Sequence, residues 1–277
     1  MQTCAFKEEL APGGLNYRLY KKQSEANSRN PLVLVMGYGG SLLSWPPAFV
    51  ELLAKTNDVL IVDNRGTGKS ARLERGGDLR IEHFVEDLLT LLDYLSWEKV
   101  NLLGYSMGGC ISLEFANRHP EKLNKLVLLS STAGGAYYTS SDPDVKERLM
   151  NPRGSNFDEM FFDFFELCFS EQSLKNFRPQ LQIICDQSRA YPTSPMVLLA
   201  QLAAFRNFDA SKFANGLKVP ALVIHGRGDR LIKTENGLKL AEEIPNAQSL
   251  FIDNCGHCPH VEHEEQVYKA IEDFLEQ

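Results

Sequence analysis

Residues 100–109, Val-Asn-Leu-Leu-Gly-Tyr-Ser-Met-Gly-Gly, decide how this chain is read. The first six form an apolar run of strand length, and MGGCISLEFANRH (107–119) carries on in a helical pattern. Between them, Gly-x-Ser-x-Gly has the form of a nucleophile elbow, a serine on a tight turn joining a buried strand to a helix. Such a turn leaves no room for flanking side chains, hence Gly104 and Gly108. It lifts the Ser106 hydroxyl above the sheet edge, at a helix N-terminus whose dipole favours developing negative charge. The plainer alternative is a helix cap in a glycine-rich turn; the strand-turn-helix context favours the elbow.

Moving outward, PLVLVM (31–36), DVLIVD (58–63) and LNKLVLLSS (123–131) are further apolar strand patterns. Helical patterns alternate with them at 45–56, with Ser44 placed to cap, and at 81–95, where Ile81, Phe84, Val85, Leu88, Leu91, Leu92 and Leu95 make one apolar face. Fully apolar strands separated by helices imply a parallel sheet covered on both faces. The alternation stops over 134–210, where EMFFDFFELCF, SLKNF and PMVLLAQLAAF are helical with no strand between them. It resumes with strands at 220–226 and 248–253 and helices at 234–244 and 264–277. Residues 3–10 and 16–22 read as a leading hairpin. The expectation is an α/β core of about eight mostly parallel strands (1–133 and 211–277) carrying a helical cap insertion at 134–210.

The totals narrow the function classes. A chain of 277 residues, 43% hydrophobic and 23% charged, has an ordinary globular composition. Its net charge of −7 argues against nucleic acid or an anionic membrane as main partner. No apolar run approaches the roughly 20 residues of a membrane span, and MQTCAFKEEL lacks a signal peptide's basic start and apolar centre. The six cysteines then read as free thiols in a reducing cytoplasm. IVDNRGTGKS (61–70) invites a phosphate-loop reading, but that motif needs glycine where Asp63 stands, and ARLERGGD after it opens no helix.

A serine hydroxyl needs a base. Of six histidines, His83 and His119 lie on helices, and His225 sits in or at the tip of a strand as a packing or hydrogen-bonded position. His257 follows Gly256 in the loop after the last strand, where it can reach over the sheet edge. His260 and His263 lead into the final helix as surface or capping residues. The base needs an acid to hold its tautomer. Asp229, in HGRGDRLI, lies just beyond a strand end on the edge that carries Ser106; Asp253 is the rival, but only four residues before His257. Cys255, His257, Cys258, His260 and His263 could all ligate zinc, yet no second pair stands elsewhere to complete a structural site. No metal is expected. Cys110 reads as a small packing residue.

MGYGG (36–40), DNRGTGKS (63–70), GYSMGG (104–109), HGRGD (225–229) and GHCPHVE (256–262) together resemble the α/β-hydrolase superfamily. The similarity is to its small esterase, lactonase, cofactor-free haloperoxidase and prolyl aminopeptidase-like branch. The resemblance implies an oxyanion hole made by the backbone N–H groups of Tyr38 and Met107. The family usually begins its first motif His-Gly where Met36 stands, but the backbone supplies the donors. The resemblance also makes DNRGTGKS a structural turn, tied by Asp63 and Arg65, with Lys69 solvated.

The apolar stripes of 161–169 and of Met196, Leu198, Leu199, Leu202 and Phe205 read mainly as packing; over a polar rim they would also enclose an apolar pocket. The expected function is a cofactor-free, cytoplasmic serine hydrolase of a small, largely apolar carboxylic ester or lactone, with Ser106, Asp229 and His257 as triad. Alternatives on the same triad are amide, thioester or carbon–carbon bond hydrolysis. A small-molecule receptor that keeps the fold is the alternative from another class. The residues that bind substrate are not identified by the sequence.

Overall fold

The computed structural model describes residues 5–23, 29–73 and 78–277, without the side chains of residues 171 and 172. Cys4, the first residues of the expected hairpin and the Gly-Gly pair at 76–77 lie outside the described residues. Strands β1 (Phe6–Leu10) and β2 (Asn16–Tyr20) form an antiparallel hairpin. Then come β3 (Leu32–Val35), α1 (Pro47–Leu53), β4 (Val59–Val62), α2 (Ile81–Tyr94), β5 (Val100–Tyr105), α3 (Met107–Arg118) and β6 (Leu123–Leu129). Helices α4 (Pro143–Met150), α5 (Phe157–Cys168), α6 (Glu171–Ala190) and α7 (Pro195–Asn207) follow without a strand. The chain ends with β7 (Ala221–Gly226), α8 (Thr234–Glu243), β8 (Gln248–Ile252), α9 (Pro259–Glu262) and α10 (Glu264–Glu276).

Among the described residues the strands form one eight-stranded sheet in the order β1-β2-β4-β3-β5-β6-β7-β8. The hairpin joins through the antiparallel pairing of β2 with β4; from β4 to β8 every pairing is parallel. Successive side chains of a strand face opposite sides, and β3 shows both sides buried. Val33 and Val35 pack with α2 and α3, while Leu32 and Leu34 pack with α1 and α10. Burial on two faces is why the central strands are apolar without alternation. The carboxyl ends of β3, β5, β7 and β8 all meet one rim, where the candidate residues gather.

Local chemistry moves some boundaries from where the pattern put them. Pro46 and Pro47 hold the residues before them out of the helical region; Ser44 therefore closes a short 3-10 turn, its Oγ accepting the Ser41 N–H, and α1 begins at Pro47. Helix α4 has only Val145 buried, so it carries little apolar period. Helix α6 runs straight through Pro179, a residue that normally stops a helical reading because it lacks the N–H. Helix α7 buries Val197, Gln201 and Ala204, whereas Met196 and Leu199 of the expected apolar stripe are exposed. Its inward face contains a glutamine.

Candidate active site

Ser106 sits between β5 and α3 at φ 55, ψ −120, a conformation that L-residues adopt only when their surroundings enforce it. Three hydrogen bonds do so. The Ser106 N–H donates to Leu129 O (2.9 Å), while Ser106 O accepts from Ser131 Oγ (2.8 Å) and Gly109 N (2.9 Å). The flanking glycines are obligatory by contact. A Cβ on Gly104 would lie 2.3 Å from Gly108 O, and one on Gly108 would lie 2.0 Å from Val35 O. Helix α3 thus begins directly against the end of β3.

The next loop, Met36-Gly37-Tyr38-Gly39-Gly40, closes over that junction. A Cβ on Gly37 would stand 3.0 Å from Ser106 Cβ and 3.5 Å from its Oγ, so the loop passes beside the hydroxyl. Asn64 Nδ2 donates to Met36 O (2.8 Å). Asp63, buried in the β4 turn, accepts Leu42 N (2.7 Å) on one oxygen, and Asn16 Nδ2 (2.8 Å) and Lys69 N (3.0 Å) on the other. Burial pushes its carboxyl up, opposed by the N–H groups of Leu42 and Lys69. Arg65 ties the same turn to Asp87 (2.6 and 2.7 Å) and to His83 O (2.8 Å). Lys69, expected to be solvated, pairs with Glu8 at 2.6 Å and lies over the Tyr191 ring. The backbone N–H groups of Tyr38 and Met107 have no protein acceptor among the described residues.

His257 is buried in the loop after β8, 2.7 Å by Nδ1 from Asp229 Oδ2. A carboxylate accepts, so the proton sits on Nδ1 and Nε2 presents its lone pair. Asp229 Oδ1 accepts the N–H groups of Leu231 and Ile232, each at 2.9 Å. Burial would raise the Asp229 carboxyl, but His257 and His225 outweigh it and bring it down to about 2. The rival, Asp253, is largely exposed and pairs with Arg227 at 3.2 Å.

Ser106 Oγ makes no hydrogen bond to His257 among the described residues. Tyr105, the residue before Ser106, has its ring 5.1 Å from the His257 ring and its phenol 3.2 Å from Cys258 Sγ. A serine–imidazole contact in a free site often tightens only when substrate is bound.

One support is His225 in its expected hydrogen-bonded position, and three more escape a sequence reading. His225 Nε2 lies 3.2 Å from Asp229 Oδ2 and 2.8 Å from Ile232 O; with two acceptors there, it must carry the proton. Its spacing of four residues before Asp229 was the available signal. The His257 N–H donates to Cys168 O (2.6 Å) at the end of α5. Glu262 holds the preceding Gly256 N–H (2.7 Å) and reaches Ser170. From α7, Gln201 holds the Gly39 N–H (2.8 Å). The last three join segments far apart in the chain and leave no local pattern.

His263 is the half-buried residue that opens α10, but His260 is not at the surface. It is 2% exposed, boxed by Trp45, Phe49 and Tyr105 at ring distances of 4.7 to 5.7 Å. Burial, with His257 adding, brings its pKa down to about 3. Burial likewise pushes the Cys110 thiol up to about 12, far from a thiolate nucleophile. Among the described residues no three His, Cys, Asp or Glu side chains gather to hold a metal ion, and no helix is long and apolar enough to cross a membrane. Two clefts, of about 350 Å³ beside the β1–β2 turn and about 570 Å³ between α5 and α6, contain none of Ser106, Asp229 or His257 in their walls.

A family model described as alpha/beta hydrolase fold matches residues 30–264. A protein assigned as carbamate hydrolase RutD from Pseudomonas savastanoi pv. phaseolicola is 28% identical, over 88% of this chain and 93% of its own. The 2-hydroxy-6-oxononadienedioate/2-hydroxy-6-oxononatrienedioate hydrolase of Cupriavidus pinatubonensis is 29% identical, over 95% and 92%. The crystal structure of the enol-lactonase from Burkholderia xenovorans LB400 superposes with a TM-score of 0.82 at 27% identity, covering 98% of this chain and 100% of that one.

Proposed function

The chain belongs to the alpha/beta hydrolase fold family, and from that premise we propose a serine hydrolase that opens a carboxylic ester or lactone through an acyl-enzyme on Ser106. His257 Nε2 takes the hydroxyl proton as Ser106 Oγ adds to the carbonyl carbon. Asp229 holds the imidazole in the useful tautomer and stabilises the imidazolium that forms. The Tyr38 and Met107 N–H groups receive the oxyanion, a pair of fixed donors each worth about 3 kcal/mol in such sites. The imidazolium returns its proton to the leaving alcohol; water, deprotonated by His257, then releases the acid. We read residues 134–210 as a cap over this rim. Its aromatic residues Phe161, Phe165 and Phe169 pack in one cluster with Tyr105 and Cys258, which suits a substrate with an apolar portion.

The observations that carry this reading are the buried His257–Asp229 pair, whose imidazole meets the ring of Tyr105, and the enforced positive φ of the next residue, Ser106. The likeness to a lactonase fold favours an ester-type carbonyl. A second reading has a specific motive: the 6-oxo dioate named for one relative contains no ester, so its hydrolysis breaks a carbon–carbon bond next to a ketone. The same nucleophile, base and oxyanion donors would serve.

Fluorophosphonate labelling, with turnover of esters, lactones, carbamates and vinylogous 1,5-diketo acids, tests the proposal. Ser106→Ala is expected to lose both labelling and turnover, at least about 10⁴-fold, with an unchanged melting midpoint. Retained turnover in that variant would remove Ser106 from the mechanism. A preference for diketo acids over every ester would select the second reading.

A further inference from the structure

The loop that carries the Tyr38 N–H is anchored in two ways. Its ends belong to the core: Asn64 holds Met36 O, and Asp63 holds Leu42 N. Its middle is held from α7 and the residues just before it. Gln201 Oε1 accepts the Gly39 N–H at 2.8 Å, Thr193 Oγ1 donates to Gly39 O at 2.8 Å, and a Cβ on Gly39 would lie 2.7 Å from Leu198 Cδ2. Both polar groups of the Gly39 residue are therefore satisfied by the cap.

Gln201 is fully buried, and among the described residues its Nε2 has no hydrogen-bond partner. The amide cannot be turned to relieve this, because the atom facing the Gly39 N–H must be an acceptor. A buried amide with two unused N–H donors is unfavourable compared with an apolar side chain of the same length. Fold stability alone gives no reason for a glutamine on this face of α7. The Gly39 contact does.

We propose that Gln201, assisted by Thr193, is a positioning residue that couples docking of the cap to the oxyanion hole by fixing Gly39 and so the direction of the adjacent Tyr38 N–H. The Gly37 backbone already abuts Ser106, so the 37–38 peptide lies between a fixed nucleophile and a clamp supplied by the cap. Without the clamp the loop keeps its ends but not the aim of its donor. The inference rests on the reading of Ser106 and Tyr38 proposed above.

Gln201→Met keeps length and volume but removes the acceptor; Thr193→Val removes the hydroxyl at constant shape. For Gln201→Met the expected result is a kcat lower by about 10- to 100-fold, with KM little changed and a melting midpoint equal to or above wild type. Affinity for a boronic acid, which forms a tetrahedral adduct on serine, is expected to fall by the same factor. Thr193→Val should lower kcat less, and the double variant should lose less than the product of the two. An unchanged kcat in Gln201→Met, or a loss of activity that comes with a lower melting midpoint, overturns the proposal. Ser106→Ala, assayed in parallel, separates the two levels: an active Ser106→Ala refutes the catalytic reading, whereas an inactive one beside a fully active Gln201→Met refutes only the clamp.

Discussion

Asp229 shows how much one carboxylate carries. Each of its oxygens faces two N–H groups, Leu231 and Ile232 on one side, His257 and His225 on the other. In Asp229→Asn the new NH₂ must meet donors whichever way it turns, so one histidine loses its tautomer or two backbone N–H groups lose their acceptor. A fall in kcat of about 10⁴ is expected, with a lower melting midpoint. The pH sign follows from the same contacts. The folded carboxyl, at about 2, lies below its ordinary value of 3.8. Its contribution to stability is therefore complete above pH 3.8 and is lost as pH falls toward 2; Asp229→Asn should flatten the acid limb measured by urea unfolding. Ser106 adds a comparison. Glycine alone is at ease at φ 55, ψ −120, so Ser106→Gly is expected to melt above Ser106→Ala by a few degrees, about 1–3 kcal/mol.

At the scale of an element, the loop and short helix from Cys255 to Glu262 form a buried unit pinned by Glu262, Cys168 and the aromatic box around His260. His260 faces Trp45 and Phe49 of the α1 region, Tyr105 of β5 and His257 of its own loop. Its folded pKa of about 3 lies below the ordinary 6.5, so the unfolded chain binds the proton first as pH falls. Stability present above pH 6.5 is lost down to about 3, with a limiting slope of about 1.4 kcal/mol per pH unit for one proton. His260→Phe suits the box and should remove that slope between pH 6 and 4 in chemical unfolding. An unaltered slope would place the proton uptake elsewhere. The sequence read His260 as a surface or capping residue because a histidine beside a helix start carries no sign of which distant aromatic rings fold against it.

Over the whole molecule, what was legible in the sequence was what local pattern encodes. The apolar strands, the amphipathic α2 and the elbow glycines follow from spacing alone, because a doubly covered sheet and a tight turn leave few residue types to choose from. The rest was less legible for one physical reason: it depends on contacts between distant segments. Helix α4 buries one residue, α6 accommodates Pro179, and the buried face of α7 is chosen by a loop more than 150 residues earlier. The site divides in the same way. Ser106, Asp229 and His257 stand at strand ends that can be counted, whereas Cys168 O and Gln201 enter from helices whose pattern does not say which distant backbone they meet.

The carbonyl of Cys168 on the backbone of His257 has a consequence for how such molecules diversify. With Gln201 on the other flank, residues 134–210 touch both His257 and the loop beside Ser106. The segment is not an exchangeable module. Grafting another segment onto this sheet would also release the His257 and Gly39 backbones, unless the graft supplied a main-chain oxygen at one end and a side-chain acceptor at the other.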